Sequence, residues 1–272
     1  SNNSMKSYRK LSWLITPTLL HFNKILTQSQ ENQENFLLLG ANKAHCQLAG
    51  NLKFDIAINA NVLEKKQHLE QQLKTKRNVI AIASTHQGDE RIALSCFDKL
   101  RHIIPNLLFV IIPRHPERFE SVAKLCLEQN VTLSRRSKNE QVLDVTQVWL
   151  IDTLGELMPT CALADIVIMG GSFSDIGGHN PLEPALFKKP IIVGANMDNF
   201  KEVLTQLQDE KGIIQLKNNH NAVTDLTQII ISLHKEPERQ KLLGDNAYLV
   251  VQNNQGASDK SVTELQKLLS KG

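Results

Sequence analysis

Five short apolar runs constrain this chain more than anything else in it: Val79–Ala83, Leu107–Ile112, Val148–Ile151, Ile166–Met169 and Ile191–Val193. Each is continuous and rich in branched side chains. A half-exposed strand alternates polar and apolar residues, whereas a strand covered on both faces does not need to. Stretches with roughly helical spacing lie between the runs. Arg91–Ile103 brings Ile92, Leu94, Phe97, Leu100 and Ile103 towards one face. Pro116–Gln129 opens on a proline suited to a first helical turn, and Leu154–Leu163 is a third such stretch. This alternation predicts an α/β fold: a Rossmann-like, doubly wound parallel sheet over residues 51–235. Residues 236–272 read as a helical C-terminal tail broken at Gln255-Gly256.

The first 50 residues differ. Ser1–Leu20 reads as a loop and a helix carrying Lys6, Arg9 and Lys10. Lys24–Gln28 and Cys46–Ala49 read as strands. Between them Ser29–Leu39 reads as a helix capped by Ser29 and closed at Gly40. This is the end of an α/β unit without an evident beginning. Exposed edges of an incomplete sheet invite pairing with another chain, so self-association or a displaced N-terminal segment is expected.

Whole-chain features exclude several classes. The length of 272 residues suits one large domain or two small ones, enough to bury a core without staples. A net charge of +3, with no basic stripe, gives no case for nucleic acid as a partner. No apolar run approaches the length of a bilayer span, and the N-terminus lacks the order of a signal peptide. Cys46, Cys96, Cys126 and Cys161 are widely spaced, with no CxxC. They are expected as buried, reduced thiols of a cytosolic protein, and their spacing suits no zinc site.

Ligands of open α/β sheets bind at the carboxyl ends of strands, so the residues after each run matter most. Val79–Ala83 leads into Ser84-Thr85-His86-Gln87-Gly88-Asp89-Glu90. This segment could offer backbone N–H groups to an anion, or Ser84 or Thr85 could simply cap the next helix. Leu107–Ile112 leads into Pro113-Arg114-His115-Pro116-Glu117-Arg118. Arg114 could hold a phosphate bidentately, while Arg118 could form a surface ion pair of little energetic weight. After Val148–Ile151, Thr153 and Glu156 match a capping box, and Asp152 could bind a hydroxyl. Ile166–Met169 leads into Gly170-Gly171-Ser172 and then Gly177-Gly178-His179-Asn180-Pro181-Leu182-Glu183-Pro184, with four glycines in nine residues. Glycines permit close backbone approach to a ligand. Asn180 is a good N-cap, Pro181 fits a first turn, and Glu183 could close a capping box. The same helix start beside a glycine-rich loop reads as an anion site, with His179 as a hydrogen-bond donor. There is no GxxxxGK[ST], no GxGxxG after a strand and no GxSxG. These absences disfavour a P-loop NTPase, a dinucleotide oxidoreductase and an α/β-hydrolase.

Taken in order, these motifs, together with Gly50-Asn51-Leu52-Lys53-Phe54-Asp55, resemble the 3-deoxy-D-manno-octulosonic acid (Kdo) transferases of lipopolysaccharide core assembly. The likeness covers nearly the whole chain. It implies the C-terminal half of a GT-B fold and transfer of Kdo from CMP-Kdo to the lipid A precursor, with no metal or cofactor. It also implies a full-length enzyme at the cytoplasmic face of the inner membrane. By matching motif, Arg114 and the Gly170, Gly171, Ser172 loop are expected near CMP. Glu183 would accept from ribose hydroxyls with Asn180 beside it, and Ser84 and His86 would face the donor. Lys53 would neutralise the donor's phosphate or carboxylate. Asp89 stands where the family usually carries Glu. The family's general base and membrane anchor lie in an N-terminal domain that the matched region follows. Residues 1–50 are therefore expected to be the end of that domain, 51–235 the donor-binding domain and 236–272 C-terminal helices. On that expectation the chain binds CMP without transferring Kdo by itself, and meets the membrane surface only through the N-terminal part. Two other readings stay open on the residues: a stand-alone nucleotide-binding or interaction module, and a GT-B enzyme or epimerase using a UDP-sugar.

Overall fold

The computed structural model describes residues 2–73 and 75–270. Ser1, Lys74, Lys271 and Gly272, which fall within the three expected segments, lie outside the described residues. The chain forms two compact units, one from residues up to Ala57 together with those from Val251 onward, the other Ile58–Val250.

The first unit contains α1 (Asn2–Lys10), α2 (Ser12–Leu20), β1 (Ile25–Thr27), α3 (Gln30–Leu38), β2 (Cys46–Leu48) and a 3-10 turn at Leu52–Phe54. The expected N-terminal loop is helical instead, so two helices precede β1. The two strands pair in parallel, with Ile25 opposite Cys46. Ser29 caps α3 by accepting from the Asn32 N–H. Gly40 follows at φ +95°, and a Cβ there would sit 2.5 Å from the Thr16 side chain. Only glycine suits both the left-handed turn and that approach. The tail helix α12 (Ala257–Leu269) belongs to this unit, after Gly256 at φ +99° has broken the helical run. Asp55 caps α12, its carboxylate accepting from the N–H groups of Gly256 at 2.6 Å and Ser258 at 2.5 Å.

The second unit is a Rossmann-like α/β layer structure. Its elements are α4 (Ala60–Gln72), β3 (Asn78–Thr85), α5 (Asp89–Leu100), β4 (Leu107–Pro113), α6 (Phe119–Glu128), β5 (Leu133–Arg135) and β6 (Val148–Leu150). After these come α7 (Leu157–Leu163), β7 (Ile166–Met169), α8 (Leu182–Ala185), β8 (Ile191–Val193), α9 (Lys201–Asp209), β9 (Ile214–Gln215) and α10 (Ala222–Lys235). A last helix, α11 (Pro237–Asn254), begins in this unit. The seven strands are all parallel, in the order β5-β6-β4-β3-β7-β8-β9. From β3 the chain winds one way through β4 and the other way through β7, so the topological switch lies between β3 and β7.

The five apolar runs are central strands, and β4 and β7 are buried along their whole length. Both faces are covered. Phe97 and Leu100 from α5, Cys126 from α6 and Ile230 from α10 share a core with Ile80, Ile82, Phe109 and Ile168 of the sheet. All four cysteines are buried and free.

Several local expectations shift. Pro116 opens a 3-10 turn, Pro116–Arg118, and the α-helix starts only at Phe119. Gly155 at φ +75° holds back α7 until Leu157. The Thr153 hydroxyl does meet Glu156, but side chain to side chain, with the carboxylate also held by Arg136. No reciprocal capping box forms there. Asp152 is not available to a ligand hydroxyl: it binds Ser137 Oγ at 2.6 Å and Arg135 Nε at 2.8 Å, and is buried.

Candidate functional site

Three segments converge at the carboxyl edge of the sheet, on either side of the switch. The exit of β3 carries Ser84 to Glu90, that of β4 carries Arg114, His115 and Arg118, and that of β7 carries Gly170 to Asn180, leading to α8 with Glu183.

The β3 exit is bent. Ser84, buried, sits at φ +56°, where the register of β3 against β4 slips between Ala83 and Thr85. A non-glycine residue in the left-handed region costs roughly 1 kcal/mol, and such strain clusters at functional sites. The bend turns Thr85 so that its hydroxyl donates to Glu90 at 2.6 Å and its carbonyl accepts from Arg114 N–H at 3.0 Å. Neither Ser84 nor Thr85 caps α5: the N-cap is Gly88 at φ +103°. Arg118 forms no weak surface pair. Both its terminal nitrogens bind Glu90, at 2.7 and 2.9 Å, and Glu90 is 1% exposed. A buried bidentate pair of this kind fixes the exits of β3 and β4 relative to each other.

Asp89 joins the β3 and β7 exits. Its Oδ2 accepts from the N–H groups of His86 at 2.8 Å and Gly171 at 2.7 Å, while Oδ1 is buried without a partner. Burial pushes this carboxyl up to about 6, against the pull of those two N–H groups. Gly170 leaves the space required, because a Cβ there would lie 2.6 Å from Ser84 O and 2.8 Å from Asp89 Oδ2. The Gly170 N–H is bound to Ala83 O and the Ser172 hydroxyl is shared between Met169 O and the Gly194 N–H. The glycine loop therefore uses these groups to build itself. Gly170, Gly171 and Ser172 shape the site, but the N–H groups of the two glycines and the serine hydroxyl are already engaged.

What faces the edge is a cluster of rings and charges. His86 and His179 lie with their Nε2 atoms 2.7 Å apart and ring centroids 4.9 Å apart, and His115 stands edge-on to His86 at 5.2 Å. Gly171, at φ +68°, makes room for the His179 ring, whose Cδ2 would be 3.0 Å from an added Cβ. Burial, then the neighbouring His115 and the Arg118 charge, lowers His86; burial, then His86 and Arg114, lowers His179 to about 4. Both imidazoles are therefore neutral near pH 7. Arg114 is exposed at the cluster's rim.

Asn180 and Glu183 complete the edge. Asn180 Oδ1 accepts from Leu182 N–H at 3.1 Å, but α8 is a single turn and Glu183 closes no capping box. A helix of four residues supplies little dipole, so the anion site expected at its N-terminus is not built that way. Glu183 instead keeps a buried Oε2 with no partner. Burial raises its pKa against the opposing effects of Asn180 and the Arg114 charge. Lys53 lies on the 3-10 turn of the first unit. Among the described residues no group of three or more His, Cys, Asp or Glu is placed to hold a metal ion.

A cavity of about 440 Å³ lies beside this edge between α5 and α6, lined by Gln87, Gly88, Glu90 and Arg118 among others, but it does not include the imidazoles. Sequence reasoning placed His86, Arg114, Asn180 and Glu183 at strand exits, where the structure gathers them. It gave no role to His115 or Asp89 and did not pair His179 with His86. The HxGD spacing of His86 and Asp89 carries that signal, since a short acidic residue after a tight turn reaches back to backbone N–H groups.

The chain is similar to several known proteins. A family model for 3-deoxy-D-manno-octulosonic-acid transferase (kdotransferase) matches residues 1–56. The 3-deoxy-D-manno-octulosonic acid transferase of Haemophilus influenzae is 33% identical over 271 residues, covering 100% of this chain and 63% of that protein. That of Rickettsia felis is 31% identical, covering 99% and 57% respectively. The chain thus spans about three fifths of the length of these relatives. The crystal structure of the C-terminal CMP-Kdo binding domain of WaaA from Acinetobacter baumannii superimposes with a TM-score of 0.66 at 31% identity, covering 71% of this chain and 100% of that one. Anabaena HepE, in its crystal structure with UDP and glucose, is 12% identical with a TM-score of 0.52 and shares the fold over 98% of this chain and 67% of that one. The architecture is that of a GT-B-like glycosyltransferase with a helical C-terminal tail.

Proposed function

Because the chain belongs to the 3-deoxy-D-manno-octulosonic acid transferase family, we propose that its seven-stranded sheet binds the nucleotide of a CMP-Kdo donor. In the whole protein that sheet would serve transfer of Kdo to the lipid A precursor at the cytoplasmic face of the inner membrane. Residues 51–235 are the donor-binding domain of this reading, and residues 1–50 the end of the acceptor domain.

One observation carries it: an exposed guanidinium, Arg114, and a buried carboxylate oxygen without a partner, Glu183 Oε2, share the switch-point edge. A nucleoside monophosphate needs both, a cation for its phosphate and an acceptor for paired ribose hydroxyls. Arg114 holds the phosphate, Glu183 and Asn180 take the ribose, and His86 faces the phosphate from the β3 exit. Ser84 and the Gly170–Ser172 loop set the backbone around the nucleotide. As the bond from phosphate oxygen to the sugar breaks, negative charge grows on the phosphate, and the prepositioned Arg114 side chain stabilises it.

Calorimetric titration with CMP, UDP and NAD tests this. CMP is expected to bind tightest. Preference for UDP or NAD, or no binding of any, overturns the reading.

A further inference from the structure

Resting on that reading, we infer that His86 and His179 form one proton-sharing pair that takes up a proton when the donor's phosphate binds, and that the resulting cation stabilises the departing nucleotide. The geometry demands proton sharing. With Nε2 atoms 2.7 Å apart, two N–H groups face to face would repel, and so would two lone pairs. One Nε2 donates and the other accepts. A neutral pair then carries one proton between the rings and one on Nδ1 of the accepting ring. The vacant position is Nδ1 of the donating ring. A third proton added there makes that ring an imidazolium and leaves the hydrogen bond between the rings intact and stronger.

The surroundings keep the pair uncharged until an anion arrives. From the β4 exit, Arg114, His115 and Arg118 disfavour a proton on His86, and Arg114 and His115 do the same for His179. On α5, Glu90 favours one, but its carboxylate is already neutralised by Arg118, and Asp89 is turned to backbone N–H groups. On α8, Glu183 faces Arg114. The Glu90–Arg118 pair cancels, so burial and the Arg114 charge remain to disfavour a proton on the two partly buried imidazoles. One phosphate charge at contact distance in such a site is enough to bring an imidazole from about 4 into the neutral range. The proton comes from solvent as the anion binds and returns to solvent when CMP leaves, so the pair is unchanged over a cycle. No proton need pass to the phosphate.

Calorimetric titration with CMP at pH 7, in buffers of differing ionisation enthalpy, reads the protons taken up. Wild-type protein is expected to take up about half a proton or more per CMP. The double variant His86→Gln/His179→Gln leaves neither ring to hold the charge, so uptake is lost and CMP binding weakens about tenfold. The phosphate's own titration is common to both proteins and cancels in the difference. Binding of CMP with no proton uptake in the wild type overturns the inference and leaves the nucleotide site standing. Equal uptake in both proteins does the same. Absence of CMP binding overturns the site as well. The wild-type measurement needs no variant, so the inference stays falsifiable should the double variant not fold.

Discussion

The carboxylate of Asp89 accepts a hydrogen bond from the backbone N–H of Gly171, 2.7 Å away and 82 residues later in the chain. Because the same oxygen also takes the N–H of His86, one side chain ties together the two loops that flank the topological switch. It occupies backbone donors that a free anion could otherwise use, so the remaining binding falls to side chains at the rim.

Asp89 also makes stability depend on pH in an unusual direction. Its carboxyl is raised from 3.8 to about 6 in the fold, so between those values the native state holds more protons than the unfolded chain. Stability from this group is complete below about 4 and is lost as pH rises through about 6. The difference in unfolding free energy between wild type and Asp89→Asn should fall over that window, by at most about 3 kcal/mol, and flatten above it. A difference that is constant from pH 4 to pH 7 would show that Asp89 titrates normally.

Gly170→Ala should destabilise by about 2–3 kcal/mol in denaturant titration, because the new methyl meets the fixed backbone oxygen of Ser84 and the Asp89 carboxylate. Gly88→Ala is the control. No atom lies within 4 Å of its added Cβ, so only the left-handed φ of +103° opposes it, at about 1–2 kcal/mol. Equal costs at the two positions would mean that the β7 exit is not sterically confined.

Arg118→Ala leaves Glu90 charged, 1% exposed and with only Thr85 as a partner. Loss of one partner of such a pair costs about 3–5 kcal/mol, while Glu90→Leu combined with Arg118→Met should recover much of it. Thermal unfolding of the two variants separates the cases. A loss below about 1 kcal/mol for Arg118→Ala would return this pair to the weak class expected of surface ions.

Arg114 carries the phosphate charge in the proposed site and packs against little else. Arg114→Ala should weaken CMP binding about 10- to 100-fold with little change in melting temperature. Unchanged affinity removes Arg114 from the site.

The strands that sequence reasoning found are those whose runs are continuous and branched, because burial on both faces leaves no polar position. The strands β5 (Leu133–Arg135) and β9 (Ile214–Gln215) escaped because they are short and carry Ser134, Arg135 and Gln215, which break any apolar run. The helix expected from Asn180 shrank to one turn because Lys188 turns left-handed at φ +54° shortly after it. His86 and His179 were both placed at strand exits, but 93 residues separate them. Their contact follows from β3 lying beside β7, and strand order is a property of the assembled sheet that no local pattern encodes. The same reason hid Asp89, whose partner Gly171 belongs to the neighbouring exit.

Mapping backbone amide shifts of the labelled protein on addition of CMP tests the location of the nucleotide most directly. Shifts clustered at Ser84–Asp89, Arg114–His115 and Gly170–Glu183 are expected, with the opposite edge of the sheet silent. Shifts confined to that opposite edge, around the cavity of about 260 Å³ lined by Asn78, Asp165 and His234, would contradict a nucleotide site at the carboxyl ends of β3, β4 and β7.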